Sequence, residues 1–142
     1  MAEALRPELI RSGSHGTMWL NGELAAEVYG CQIVVNKTKE QIPRCGAFIE
    51  GHKLMSARIT GTVRFYNATS RLINAEGNNL KMGRDTRFVI VSKLDDPDAD
   101  SVQRMQVTGV SFDNLTLADW QAAQIGQIEA PFTADDYTIL ET

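Results

Sequence analysis

Residues 53–66 read KLMSARITGTVRFY, with Met55, Ala57, Ile59, Val63 and Phe65 alternating with Ser56, Arg58, Thr60, Thr62 and Arg64. A period of two marks a β-strand with one dry face and one wet face. At about 3.4 Å per residue this run extends roughly 45 Å, whereas most strands stop near ~20 Å. One small domain has too little core to cover it. Unpaired edges of such length invite aggregation unless another chain or a closed barrel completes them, so the stretch predicts ordered self-assembly.

A second ribbon precedes it. From Tyr29 the odd positions Tyr29, Cys31, Ile33 and Val35 are apolar, and residues 36–40 continue in polar side chains past the reach of a core. Between the ribbons, residues 41–52 (QIPRCGAFIEGH) hold an apolar tip of Ala47, Phe48 and Ile49. Such a tip either folds back on its own domain or docks on an adjacent subunit. Further upstream, Asn21-Gly22 between residues 17–20 and Glu23 predicts a hairpin, with Trp19 as its expected anchor. Residues 1–16 lack alternation and are broken by Pro7, Gly13 and Gly16, which predicts a flexible N-terminal arm ahead of one domain over 17–142.

Downstream, residues 69–82 predict a short, weak helix capped by Thr69 or Ser70. Residues 87–94 (RFVIVSKL) read as a strand buried on both faces. Residues 95–100 (DDPDAD) form a turn too acidic to pack, and they lack the glycine and final glutamate of an EF-hand loop. Over 101–112 the apolar phase changes sides at Gly109, which predicts a bulge or sharp bend. Residues 125–140 place Ile128, Ala130 and Phe132 on one face, with Pro131 opposite them arguing for an edge.

A chain of 142 residues with 43% hydrophobic content has room for one domain with a real core. Nothing near the N-terminus reads as a signal peptide and no stretch approaches the ~18 to 20 apolar residues of a membrane span, so a cytosolic protein without membrane anchoring is expected. Cys31 and Cys45 fit neither a metal spacing nor a disulfide framework; both are expected reduced, with Cys31 in the core. The net charge of −4 hides a division: residues 1–84 carry eleven Lys/Arg against seven Asp/Glu, and residues 85–142 carry three against eleven. That polarity is either neutralised within the subunit or used to orient a head-to-tail assembly. An acidic chain is poorly suited to grip nucleic acid.

Catalytic chemistry is missing from the pattern. The two histidines, His15 and His52, fall in the arm and at a loop end, Cys45 with His52 makes at most half a metal site, and no Gly-rich phosphate loop exists. No enzyme active site, cofactor or metal is expected.

The order and spacing of several short motifs resemble the phage tail tube protein family of contractile phages and defective prophages, the XkdM-like group. They are Trp19-Leu20-Asn21-Gly22-Glu23, Asn36-Lys37, Gly51-His52-Lys53 with Thr60-Gly61-Thr62, and Gly83-Arg84-Asp85-Thr86-Arg87-Phe88. Ser92-Lys93-Leu94, Asp96-Pro97-Asp98-Ala99, Val110-Ser111-Phe112-Asp113, residues 115–120 (LTLADW) and Pro131-Phe132-Thr133 complete the set, with Ala134 standing where an aromatic is expected.

The resemblance implies a mainly β fold, a two-sheet β-sandwich or split barrel with one short helix, related to type VI secretion tube proteins. It also implies hexameric rings stacked helically into a hollow tube inside a contractile sheath, in a virion tail or phage-tail-like particle assembled in the host cytoplasm. Sheath, baseplate and tape measure proteins are the implied partners, with duplex DNA passing through the lumen of a phage without specific binding. Four strands per subunit, twenty-four in all at about 4.8 Å and tilted near 40°, would close a wall about 50 Å across.

Gln32, Arg58, Thr60, Thr62 and Arg64 are then expected to face the bore or a subunit seam, in a polar, acid-biased lumen that repels DNA, with the two arginines paired to carboxylates of the C-terminal half. Arg44, Phe48, Ile49 and His52 are expected at the ring-stacking contact. Alternatives are a type VI secretion-like tube protein and a monomeric β-barrel binding module of OB type.

Overall fold

The computed structural model describes residues 4–142. Eight antiparallel strands, β1 (Gly16–Leu20), β2 (Glu23–Leu24), β3 (Val28–Ile42), β4 (Gly51–Tyr66), β5 (Phe88–Leu94), β6 (Gln103–Phe112), β7 (Gln127–Ala134) and β8 (Asp136–Glu141), accompany one helix, α1 (Arg71–Lys81). Hydrogen bonding runs in the order β2-β1-β5-β6-β7-β4-β3, with β8 added to β6. The path folds over on itself, so that Met18, Leu20, Phe88, Ile90 and Val107 of one layer meet Ile59, Val63, Phe65, Ala130 and Phe132 of the other. This is the expected split barrel. None of the described helices is long and apolar enough to cross a membrane.

The fold turns on Gly109. Its φ of +64° belongs to the left-handed region, and a Cβ there would collide with Asp135. The expected change of phase is a bulge, which re-aims β6: before it β6 pairs with β5 and β8, just after it Val110 still meets Phe88 of β5, and Ser111 and Phe112 then pair with Thr133 and Phe132 of β7. Asp135 makes the matching corner between β7 and β8, so residues 125–140 are two strands in different layers. Arg87 spans the corner, donating to Gly109 O at 3.1 Å and to Asp135 Oδ2 at 3.2 Å, while Ser111 donates to Asp85 Oδ2 at 2.7 Å. The Gly-Arg-Asp-Thr-Arg-Phe motif therefore has structural work at the bend.

Aromatic rings fill the centre. Phe88, Phe112 and Phe132 meet edge to face, with centroids 5.2 and 6.1 Å apart. Gly61 makes this packing possible, since a Cβ at that position would lie 2.2 Å from Gln32 O and 2.5 Å from the Phe132 ring.

Several sequence expectations are corrected. Asn21 and Gly22 form the turn with positive φ, but Trp19 faces outward beneath the Arg104 guanidinium at 5.8 Å, and the inward anchors are Met18 and Leu20. β5 is fully buried on one face only, through Phe88 and Ile90, because β1 and β6 flank its edges while nothing covers its outer face fully. Tyr29 sits at a register shift and stacks on Tyr66, leaving Val28, Cys31 and Ile33 against the core.

The acidic turn does pack. Asp96 is buried because it accepts hydrogen bonds from the Ser12 and Asp98 amides at 2.8 and 3.0 Å, which lower its pKa. Arg11 donates to Ser101 Oγ at 2.8 Å, so residues 11–16 run along this turn into β1. Residues 1–3 of the expected arm lie outside the described residues.

Helix α1 closes the end of the barrel near Tyr66. Leu72 and Ala75 pack on the core, and its C-terminus is capped by Gly83 at φ +72°, with Arg84 N donating to Asn79 O and Gly83 N to Leu80 O. At its start Arg71 binds Glu27 at 2.8 Å and Glu23 at 3.0 Å. Burial pushes the Glu27 carboxyl up, but the hydrogen bond and charge of Arg71 outweigh it and hold the group below its ordinary value. Glu76 is buried too, and there desolvation, reinforced by Asp85, raises the pKa.

Candidate assembly surface

The β3–β4 ribbon splits into two parts. From Ile59 to Tyr66, β4 is flanked by β3 and β7, whereas from Gly51 to Arg58 its partner is β3 alone. At about 3.4 Å per residue that free part extends roughly 27 Å beyond the barrel. No residue from Val34 to Arg58 is buried. A two-stranded ribbon in water is marginally stable at best, and this one exposes Val34, Val35, Ile42, Leu54 and Met55. The register passes from Thr38↔Ser56 to Lys39↔Leu54, so Met55 is the extra residue of a bulge and the expected alternation changes phase there.

The register places the five candidate lumen or seam residues together. Gln32 lies opposite Thr62, Gly30 opposite Arg64, and Asn36 opposite Arg58, so these side chains and Thr60 share one face of the ribbon. β7 continues it with Glu129 beside Arg64, Pro131 beside Thr62 and Thr133 beside Thr60. Pro131 lies in a strand flanked by β6 and β4 and not at the expected edge; its O accepts from Asp113 N on the side away from β4, so the missing proline N–H also falls on that side and costs the β4 ladder nothing.

Hydroxyls dominate this face, with Asn36 Nδ2 donating to Thr60 Oγ1 at 2.8 Å and Thr133 Oγ1 to Asp113 Oδ1 at 3.0 Å. Arg64 meets Glu129 at 3.5 Å, as expected, but Arg58 meets no carboxylate among the described residues. On the opposite face Cys31 lines the core, and burial pushes its thiol up to about 11 despite the Arg64 charge.

The four candidate stacking residues sit at the ribbon's end. Arg44 donates to Ile49 O at 2.8 Å and ties the loop across its base, while His52 pairs with Gln41 at the start of β4. Phe48 is 103% exposed, so it touches nothing of its own domain. Charge adds to the contrast: over residues 34–58 five Lys/Arg face two Asp/Glu, whereas residues 113–142 hold six Asp/Glu and no Lys or Arg. Among the described ion pairs only Arg64–Glu129 joins the basic and acidic halves of the chain, so the division is largely left unneutralised.

Sequence reading gave no role to a second exposed patch, Leu117, Trp120 and Ile125, between β6 and β7. Leu117 and Trp120 belong to the LTLADW motif, but the segment has no periodicity that would mark them as a surface. Among the described residues no group of three His, Cys, Asp or Glu is placed to hold a metal ion.

A split barrel with a projecting ribbon is a fold also found in contractile injection systems. The fold matches a chain of the sheath-tube complex of an extracellular contractile injection system, PVC, in the extended state, with TM-score 0.73 at 12% identity over 96% of this chain and 95% of that one. It also matches a chain of the anti-feeding prophage cap, with TM-score 0.69 at 16% identity over 100% and 97%. The chain belongs to the phage tail tube protein family, whose model matches residues 3–141. It is 30% identical to the phage-like element PBSX protein XkdM of Bacillus subtilis (strain 168) over 140 residues, 97% of this chain and 95% of that protein. It is a structural subunit of a tail tube.

Proposed function

We propose that six copies form a ring and that rings stack helically into a hollow tube within a contractile sheath. The observation that carries this reading is the ribbon: a two-stranded projection with no buried residue over 34–58 needs a neighbour to cover its apolar side chains. A monomeric barrel module would gain nothing from it.

In the ring, the face with Gln32, Arg58, Thr60, Thr62 and Arg64 lines the bore or the seam between subunits, where hydroxyl groups keep the surface wet without offering a cluster of cations to phosphate. Arg44, Phe48, Ile49 and His52 act at the contact between rings, together with the part of the N-terminal arm that precedes Arg11. Such a tube transmits sheath contraction as a rigid rod and, in a phage, conducts DNA past a wall that does not bind it. The tail sheath, baseplate and tape measure proteins are its partners in a particle assembled in the host cytoplasm.

Negative-stain microscopy of the purified protein tests this: stacked rings or tubes with six-fold end views are expected, and uniform small particles at all concentrations would refute it. Deleting residues 1–12 should leave folded subunits that no longer polymerise.

A further inference from the structure

Two exposed apolar clusters lie at opposite ends of β4. One is the ribbon loop with Phe48 and Ile49, beside the first residue of β4. The other adjoins its last residue, Tyr66, since the next amide, Asn67 N, donates to Gly126 O at 2.8 Å and so ties down the segment that precedes it. Sixteen residues of strand at about 3.4 Å separate the ends by roughly 50 Å. In that second segment Leu117, Trp120 and Ile125 are 71%, 82% and 77% exposed.

The charges of the two ends are opposite. Arg44 and Lys53 flank the tip with Glu50 between them, a balance of two cations to one anion, while residues 113–126 carry Asp113 and Asp119 and no cation. Asp113 already accepts from Thr133, which leaves Asp119, next to Trp120, without an ion pair among the described residues. Tail on tail would bring the aspartates of two copies together, and tip on tip would leave Asp119 without a cation. Tip on tail instead covers both apolar clusters and pairs the charges, and because this contact is heterologous it does not saturate in a dimer.

We propose that the ribbon tip of one copy docks on the 117–125 segment of a second copy, with Phe48 and Ile49 against Leu117, Trp120 and Ile125, and Arg44 beside Asp119. The inference rests on the tube reading and names the surface that receives the ribbon. Arg44 suits this place, because its bond to Ile49 O fixes one nitrogen and leaves the others to meet a carboxylate or the face of the Trp120 ring.

The exposed Cys45 beside Arg44 provides a direct probe, and the core-lining Cys31 will not compete with it. In assembled Asp119→Cys protein, mild oxidation should give a ladder of disulfide-linked multimers that reductant collapses and that Cys45→Ser removes. Normal tubes without that ladder would overturn this contact and leave the tube reading standing; wild-type protein that never assembles overturns both. Leu117→Ser with Trp120→Ser should cut tube yield about tenfold or more at unchanged subunit melting temperature. Tubes in wild-type yield that fail only to recruit sheath would assign the patch to the sheath and sink the proposal. Arg44→Glu and Asp119→Arg should each reduce assembly, and together restore it.

Discussion

Residues 59–66 and 51–58 belong to one strand, yet the first stretch buries Ile59, Val63 and Phe65 while the second buries nothing. Both stretches mix apolar and polar side chains; their surroundings differ, because β7 and its core-facing Ala130 and Phe132 flank only the first. Periodicity thus identifies which face is dry without saying whose core dries it. In the inner stretch the subunit answers that question itself, and in the outer one it does not.

The contrast can be broken most sharply by paired substitutions. Phe132→Ala in the inner half should cost about 3 to 5 kcal/mol in urea unfolding, whereas Phe48→Ala should leave subunit stability within about 0.5 kcal/mol and abolish tubes seen by microscopy. Gly61→Ala should cost up to about 3 kcal/mol, since its Cβ meets Gln32 O and Phe132, against near neutrality for Ala57→Gly in the ribbon beyond the loss of strand propensity, about 1 kcal/mol at most.

Glu76→Gln should stabilise the barrel end by about 1 kcal/mol at pH 7. Because burial raises the Glu76 pKa above 4.5, its contribution is full below that value and lost as pH rises through the folded-state pKa, so the advantage of Gln should vanish in acid melts. The smallest effect concerns Asp96, whose lowered pKa gives stability that is present above 3.8 and fades as pH falls through the folded value. Asp96→Asn should therefore speed hydrogen exchange at the Ser12 and Asp98 amides while leaving the ribbon unchanged.

Much of this architecture was legible in the residues. The Asn-Gly hairpin, the overlong ribbons, the helix at 71–81 and the bend at Gly109 each follow from a local rule, of turn chemistry or of side-chain period. What was illegible depends on distant partners. The burial of Asp96 needs the Ser12 amide, the corner at Asp135 needs Arg87 and Gly109, and the Arg104 guanidinium over the outward Trp19 comes from another strand. The shared face of Gln32, Arg58, Thr60, Thr62 and Arg64 was readable from alternation alone, whereas the Leu117–Trp120–Ile125 patch has no period to betray it.

The ladder between β4 and β7 has a mechanical consequence. A force applied at the ribbon tip acts along β4, parallel to the strand, so the hydrogen bonds from Ile59 to Tyr66 are loaded in shear and resist together instead of parting one after another. Through the bent β6 the same load passes into the opposite layer. A thrust on the ribbon is thereby shared between the two layers of the barrel.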